Sequence, residues 1–191
     1  MSNKKKNKSK VNKTTLKQDR LFQKRLGAFI IDWVIIALLI NIIVTFPRTL
    51  TSGVITTDTY FPNFPGNEGY VMGGIAFLGS YIYMVIFPLF AKETLGKKWM
   101  HIKVVNKNNT PAGFITRNIR FFITTICEPR LFNFSLVFYL LLSMLSGIYL
   151  GTVFEIISWA LTIISGLLAI ITKKGMIHDY VANTKVVVTE D

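Results

Sequence analysis

Of 191 residues, 51% are hydrophobic and only 17% are charged, whereas a soluble domain usually carries about a quarter charged residues. Twenty-two Lys and Arg against ten Asp and Glu give a formal charge of +12, so a strongly apolar part and a strongly basic part share one chain. The single cysteine, Cys127, excludes an internal disulfide, and no CxxC or His/Cys cluster offers a metal cage, so neither a metal nor a cofactor is expected.

The chain opens on MSNKKKNKSKVNKTTLKQDR, a polar Lys/Asn/Ser-rich tail over residues 1–20 that has too little apolar area to offset its ordering entropy; disorder is expected to about Thr15. Its lysines, with Lys4, Lys5, Lys6 and Lys24 as examples, suit an anionic inner leaflet, each contributing about 1 kcal/mol of attraction near the surface. No aromatic interleaving or fold motif accompanies them, so no nucleic-acid partner is expected.

A bilayer core of about 30 Å needs about 20 apolar residues of helix. The first such stretch is Gly27–Phe46, closed by Pro47 and carrying one charge, Asp32. It is too long for a signal-peptide core, and Thr45-Phe46-Pro47-Arg48 lacks a small-x-small cleavage pattern. The loop Pro47–Tyr70 follows, with Tyr60, Phe61 and Phe64 placed to sit at the outer headgroups. Val71–Ala91 is the second stretch, with Pro88 near its end and Ala76-xxx-Ser80 as a small-residue ridge. In the next loop IKVVN (Ile102–Asn106) reads as a short strand able to pair with TKVVVT (Thr184–Thr189). FITRNIRFFITTIC (Phe114–Cys127), with Arg117 and Arg120 at i, i+3, reads as an interfacial helix broken by Glu128-Pro129-Arg130. Leu131–Thr172 holds only one charge, Glu155, and at about 1.5 Å per residue is twice the core thickness, so it divides into spans near 131–150 and 152–172, with a turn at Gly147–Thr152. Ser143-xxx-Gly147-xxx-Gly151 is a second packing ridge there.

Placing residues 1–26, 92–130 and the tail after Thr172 on one side puts 21 of the 22 Lys and Arg there. The positive-inside rule then sets both termini in the cytoplasm of a multi-pass plasma-membrane protein. The expected fold is an all-α membrane protein: a four-helix transmembrane bundle over residues 21–189, with a small cytoplasmic interfacial helix and a short β pairing.

Asp32 carries the most information, because a carboxylate in hydrocarbon is retained mainly where it faces a bundle interior, a partner charge or water. One reading is a structural carboxylate held by hydrogen bonds from Tyr81, Tyr83 or Ser80; the other is a cation- or proton-handling group. Arg25 lies seven residues earlier on the same face, about 10 Å away along the axis.

Arg25-x-x-Ala28-x-x-x-Asp32, the loop TLGKKWMHIKVV (Thr94–Val105) and the closing HDYVANTKVVV (His178–Val188), in that order around apolar spans, resemble the RDD family of bacterial membrane proteins, named for one arginine and two aspartates. On that pattern Arg25 and Asp32 match the first two and Asp179 the third. The chain departs from the pattern in its extra length between Arg120 and His178, and in Asn183 where a glycine is common. The resemblance implies transport of an unidentified ligand, or exchange of a monovalent cation for protons. A contact between Arg25 and Asp179 is expected, with Asp32 above them handling the ion; a helix cap or a solvated salt bridge is the alternative for Asp179. His178 is a secondary candidate, a proton relay or an interfacial polar residue. Glu155, near the outer end of the last span, is an entry group or a snorkelling carboxylate, and Asn41, Thr162 and Ser165 are candidates to line a path.

No phosphate loop, nucleophile elbow or metal-ligand spacing supports an enzyme. Transport through a site around Asp32 stands against a membrane accessory protein whose loops and tail recruit or stabilise a partner. Four helices are few for alternating access, so a homodimer or a membrane partner is the expected assembly of a transporter.

Overall fold

The computed structural model describes residues 2–53, 64–127, 144–146, 151–172 and 175–189, with side chains described from residue 19 onward apart from 52, 127, 151–155 and 158. The predicted third span, near 131–150, lies almost wholly outside the described residues.

The chain begins with helix α1 (Ser2–Ile40), which passes through a π turn (Asn41–Thr45) into α2 (Phe46–Ser52). The helix thus runs back through the segment whose composition predicts disorder. Lys and Gln are good helix formers, and turns added to an existing helix carry no nucleation cost. Nor does Pro47 end the helix. In the π turn the Phe46 N–H donates to the Asn41 carbonyl five residues back, and this wider turn accommodates the proline that a regular α-helix would reject. Gly53, at φ +68°, ends the rod in the left-handed cap that glycine adopts at little cost.

The same device recurs in the second apolar segment. Helix α3 (Glu68–Tyr81) enters a π turn (Ile82–Ile86), where the Phe87 N–H donates to the Ile82 carbonyl, and continues through Pro88 in α4 (Phe87–Ala91). Among the described residues, these two stretches, 19–51 and 68–91, are long and apolar enough to cross a membrane. Helix α7 (Gly151–Thr172) covers the predicted fourth span, and its apolar part described in full is 159–172.

On the first rod, residues four apart form two stripes. Ala28, Asp32, Ile36, Ile40 and Val44 are buried, while Leu26, Ile30, Val34, Leu38, Ile42 and Phe46 are 43–61% exposed. A helix with an apolar outer face this continuous would be unstable in water and suits hydrocarbon. Exposed Val71, Ile75, Leu78 and Ile82 on the second segment, and Ile163, Leu167 and Ile170 on α7, repeat the pattern. The inner stripe packs with Ala76, Tyr83, Val85 and Phe121, and Phe121 meets Phe77 and Tyr81 edge-on. Phe64 belongs to this buried cluster, and the Arg48 guanidinium lies 3.8 Å over its ring while pairing with Glu68 at 3.2 Å. Tyr60 and Phe61 fall outside the described residues.

Beyond α4 the chain makes a short helix α5 (Leu95–Trp99), strand β1 (Ile102–Asn106) and the amphipathic helix α6 (Phe114–Cys127). After α7 come α8 (Ile177–Val181) and strand β2 (Thr184–Val188). The strands pair antiparallel, Ile102 opposite Val188 and Asn106 opposite Thr184, as the two β-branched runs predict. Their inner residues Ile102, Val104 and Val186 pack with Ala28 of α1 and with Ala112, which seats the sheet against the polar end of the first rod.

Candidate functional site

Asp32 is 2% exposed, one turn along α1 from Ala28. A carboxylate buried this far needs donors on both oxygens. Oδ1 accepts the Tyr83 hydroxyl at 2.5 Å and the Gly96 N–H at 2.9 Å, while Oδ2 accepts the Thr94 hydroxyl at 2.7 Å. The Lys97 ammonium stands 3.6 Å from Oδ2 and donates to Thr94 Oγ1 at 3.0 Å. Gly96 is required by the approach itself, since a Cβ there would strike the Ala28 carbonyl and the Asp32 carboxylate. Of the three donors proposed from sequence Tyr83 reaches Asp32; Ser80 donates instead to the Ala76 carbonyl and Tyr81 to Asn118.

Asp179, 3% exposed, occupies the first turn of α8, where Oδ2 accepts the Met176 N–H at 3.2 Å. The same oxygen accepts from Arg25 Nη2 at 2.6 Å, and Oδ1 accepts from Arg120 Nη1, which also donates to Thr184 Oγ1. Cap and ion pair are therefore one arrangement, and the expected Arg25–Asp179 contact is present. Gly175 makes room for it, because a Cβ there would lie 2.9 Å from the Asp179 side chain. Burial alone would push the Asp179 carboxyl up, but the charges of Arg120, His178 and Arg25 outweigh it and hold the group below the usual carboxylate range. His178 Nε2 is 3.6 Å from Asp179 Oδ1.

A third brace joins the loop after α4 to the sheet and α6. Glu93 Oε1 accepts the Val104 N–H at 3.0 Å and lies 3.4 Å from Arg117 Nη2, which donates to the Lys92 carbonyl at 2.6 Å. Glu93 Oε2 is buried without a hydrogen-bond partner among the described residues.

These groups surround one cavity of about 210 Å³, lined by Arg25, Asp32, Lys97, Arg117, Arg120, His178 and Asp179 together with Phe22, Leu26, Phe29, Met84, Phe121, Thr124 and Ala169. Arg25 and Asp32 do not touch; they line the same space from one face of α1. A match to the RDD family model over residues 20–183 puts the family pattern across most of the chain, and its arginine and both aspartates meet at this cavity. The chain belongs to the RDD family. Neither a curated protein nor a solved structure matches it. Membership, together with the two membrane-capable segments, identifies a membrane protein.

Three features of this RDD site go beyond the sequence reading. Arg120, read as an interfacial anchor, is the second partner of Asp179, and Thr94 and Gly96 are the unforeseen donors to Asp32. Asn183, where the family commonly has glycine, sits at φ +53°, a left-handed conformation that asparagine tolerates better than most residues, so the closing turn keeps its shape. Asn41, Thr162 and Ser165 do not line the cavity; Ser165 Oγ instead accepts the Ile177 N–H at 3.3 Å. Glu155 lies on α7, and its side chain falls outside the described residues. No cluster of three or more metal-ligating side chains occurs among the described residues.

Proposed function

We propose that this RDD protein is a transport component that binds a small ligand in the cavity between Arg25, Asp32 and Asp179, with the basic loops and both termini in the cytoplasm. The observation that carries this reading is the cavity itself: a space of about 210 Å³ lined by two buried carboxylates and half-buried cations, which a merely structural core would have filled with side chains. Cation exchange for protons at Asp32 is the weaker form of the reading. Both Asp32 oxygens already accept hydrogen bonds, and an entering cation would meet the Lys97 ammonium 3.6 Å away. A second copy or a partner protein would complete a translocation path, since four spans are few for alternating access.

The accessory-protein reading draws its support from α1, whose basic N-terminal part continues the span without a break from Ser2. Deleting residues 2–18 distinguishes the two, because recruitment is lost with that segment and ligand binding is not.

Thr124 lines the cavity and is buried, so a cysteine there reports access. In a Cys127→Ser background, Thr124→Cys is labelled by a membrane-impermeant thiosulfonate in inside-out and right-side-out vesicles. The transport reading expects labelling from the cytoplasmic side and slower labelling from outside. Labelling from one side only retires transport in favour of ligand binding; labelling from neither, in protein that keeps its unfolding midpoint, overturns the reading.

A further inference from the structure

We propose that α6 is embedded in the cytoplasmic leaflet rather than lying among the headgroups, with its outer face of Ile115, Ile119, Phe122 and Ile126 packed against lipid acyl chains. Its contacts along the second apolar segment give the depth. Arg117 Nη2 donates to the Lys92 carbonyl at 2.6 Å, just past the end of that segment at Ala91. Farther along α6, Asn118 Oδ1 accepts the Tyr81 hydroxyl at 2.7 Å, and the Phe121 ring meets those of Tyr81 and Phe77 edge-on at 5.3 and 5.7 Å. By helix rise Tyr81 and Phe77 lie about 15 and about 21 Å from Ala91, near the middle of the segment 68–91. Helical side chains lean toward their helix N-terminus, here the end away from Lys92, so the two rings do not shorten that distance. The midplane of a bilayer core of about 30 Å is about 15 Å from its boundary, so a helix confined to the headgroups would not meet these rings. From Arg117 onward α6 therefore runs inward.

The two faces of α6 suit that depth. Its arginines turn to the protein side: Arg117 ends on the Lys92 carbonyl and Glu93, Arg120 ends on Asp179 and Thr184, and their side chains are only 10% and 13% exposed, so neither offers a charge to hydrocarbon. The opposite face is aliphatic and aromatic throughout. Ile115, Ile119, Phe122 and Ile126, at i, i+4, i+7 and i+11, are 40–74% exposed. On the second segment, beside Phe77 and Tyr81, Leu78 and Ile82 are 55% and 47% exposed, so at that depth two elements turn apolar faces outward. This shared level names hydrocarbon, rather than water or a folded partner, as what covers α6. Phe121 and Thr124 of the same helix line the cavity, which makes α6 the wall between that space and the lipid. The placement holds whether or not the cavity takes a ligand.

The test places a nitroxide at Ile115→Cys, Ile119→Cys, Phe122→Cys or Ile126→Cys in the Cys127→Ser background, in nanodiscs of phosphatidylcholine and phosphatidylglycerol. Relaxation by oxygen, which partitions into hydrocarbon, is compared with relaxation by a water-soluble nickel chelate. The oxygen-to-nickel ratio is expected to rise from position 115 to position 126 and at 122 to match that of a label at Leu78→Cys. A ratio that stays low and flat along the four positions overturns the proposal in favour of a helix at the headgroups or in water. Labels that neither reagent reaches overturn it in favour of a protein partner or a second copy. Wild-type protein gives a readout that no misfolded variant can confuse: a phospholipid with a diazirine midway along its acyl chain is expected to leave photoadducts within 119–126, located by mass spectrometry. Adducts on 68–91 with none on α6 overturn the lipid contact.

Discussion

Asp32 and Asp179 are buried to the same degree and line the same cavity, yet they are neutralised in opposite ways. Asp32 sits among two hydroxyls and a backbone N–H, with one ammonium beyond hydrogen-bond distance. Asp179 sits between two guanidiniums. Around Asp32 the donors come from Tyr83 in the second π turn and from Thr94 and Gly96 at the start of α5, so the carboxylate works as a pin holding the second segment and α5 to α1. Around Asp179 the charges come from α1 and α6, so the carboxylate keeps two like charges from separating three elements. Removing the first charge leaves hydrogen-bonding groups that an amide can partly serve. Removing the second takes from two half-buried guanidiniums the carboxylate they share.

That contrast ranks the substitutions. Asp179→Asn is expected to have the largest effect, about 3–5 kcal/mol, because breaking a buried ion pair strands its partners. Denaturant unfolding in micelles checks it, and a cost no greater than that of Asp32→Asn would erase the distinction between the two sites. Gly96→Ala comes next, at about 1–3 kcal/mol, since its Cβ has only the Ala28 carbonyl and the Asp32 carboxylate to enter and the helix backbone cannot yield. The change should be read as a lowered unfolding midpoint in protein whose Arg25–Asp179 pair is intact.

Acid sharpens the comparison further. The Asp179 carboxyl lies below its unfolded value of about 3.9, so between the two values the unfolded chain binds more protons and acidification favours unfolding. Its contribution is fully present above that value and falls away as pH drops through the folded one. The stability gap between wild type and Asp179→Asn should hold steady from neutral pH to about 5 and shrink below about 4. The smallest expected effect is that of Asn183→Gly, within about 0.5 kcal/mol of wild type by thermal unfolding, because glycine adopts φ +53° freely and loses the gain as unfolded-chain entropy.

Much of this arrangement is legible in the amino-acid sequence. Hydropathy located both membrane-capable stretches, two β-branched runs gave the sheet and its partner, and amphipathic spacing gave α6 from Phe114 to Cys127. Asp32 stands out because an ionised side chain within an apolar segment needs a reason to be there, Arg25 by its place on the same face, and Asp179 through the resemblance to the RDD family alone. What stayed hidden was tertiary. The i, i+3 spacing of Arg117 and Arg120 says which face of a helix is polar but not which carboxylate that face meets. Thr94 and Gly96, at the start of α5, carry no pattern of their own, although a buried Asp32 demands donors from somewhere. Pro47 reads as a stop because hydropathy is blind to hydrogen-bond register, and the π turns before Pro47 and Pro88 are a matter of register alone.

Asp179 is held by two guanidiniums, whereas Asp32 is held mainly by hydroxyl and backbone donors. A double-mutant cycle of Asp179→Asn with Arg120→Gln, read by denaturant unfolding in micelles beside the cycle of Asp32→Asn with Lys97→Gln, measures that difference. A coupling of about 2 kcal/mol at Asp179 and one within about 0.5 kcal/mol at Asp32 are expected. Equal couplings at the two carboxylates would erase the distinction between them.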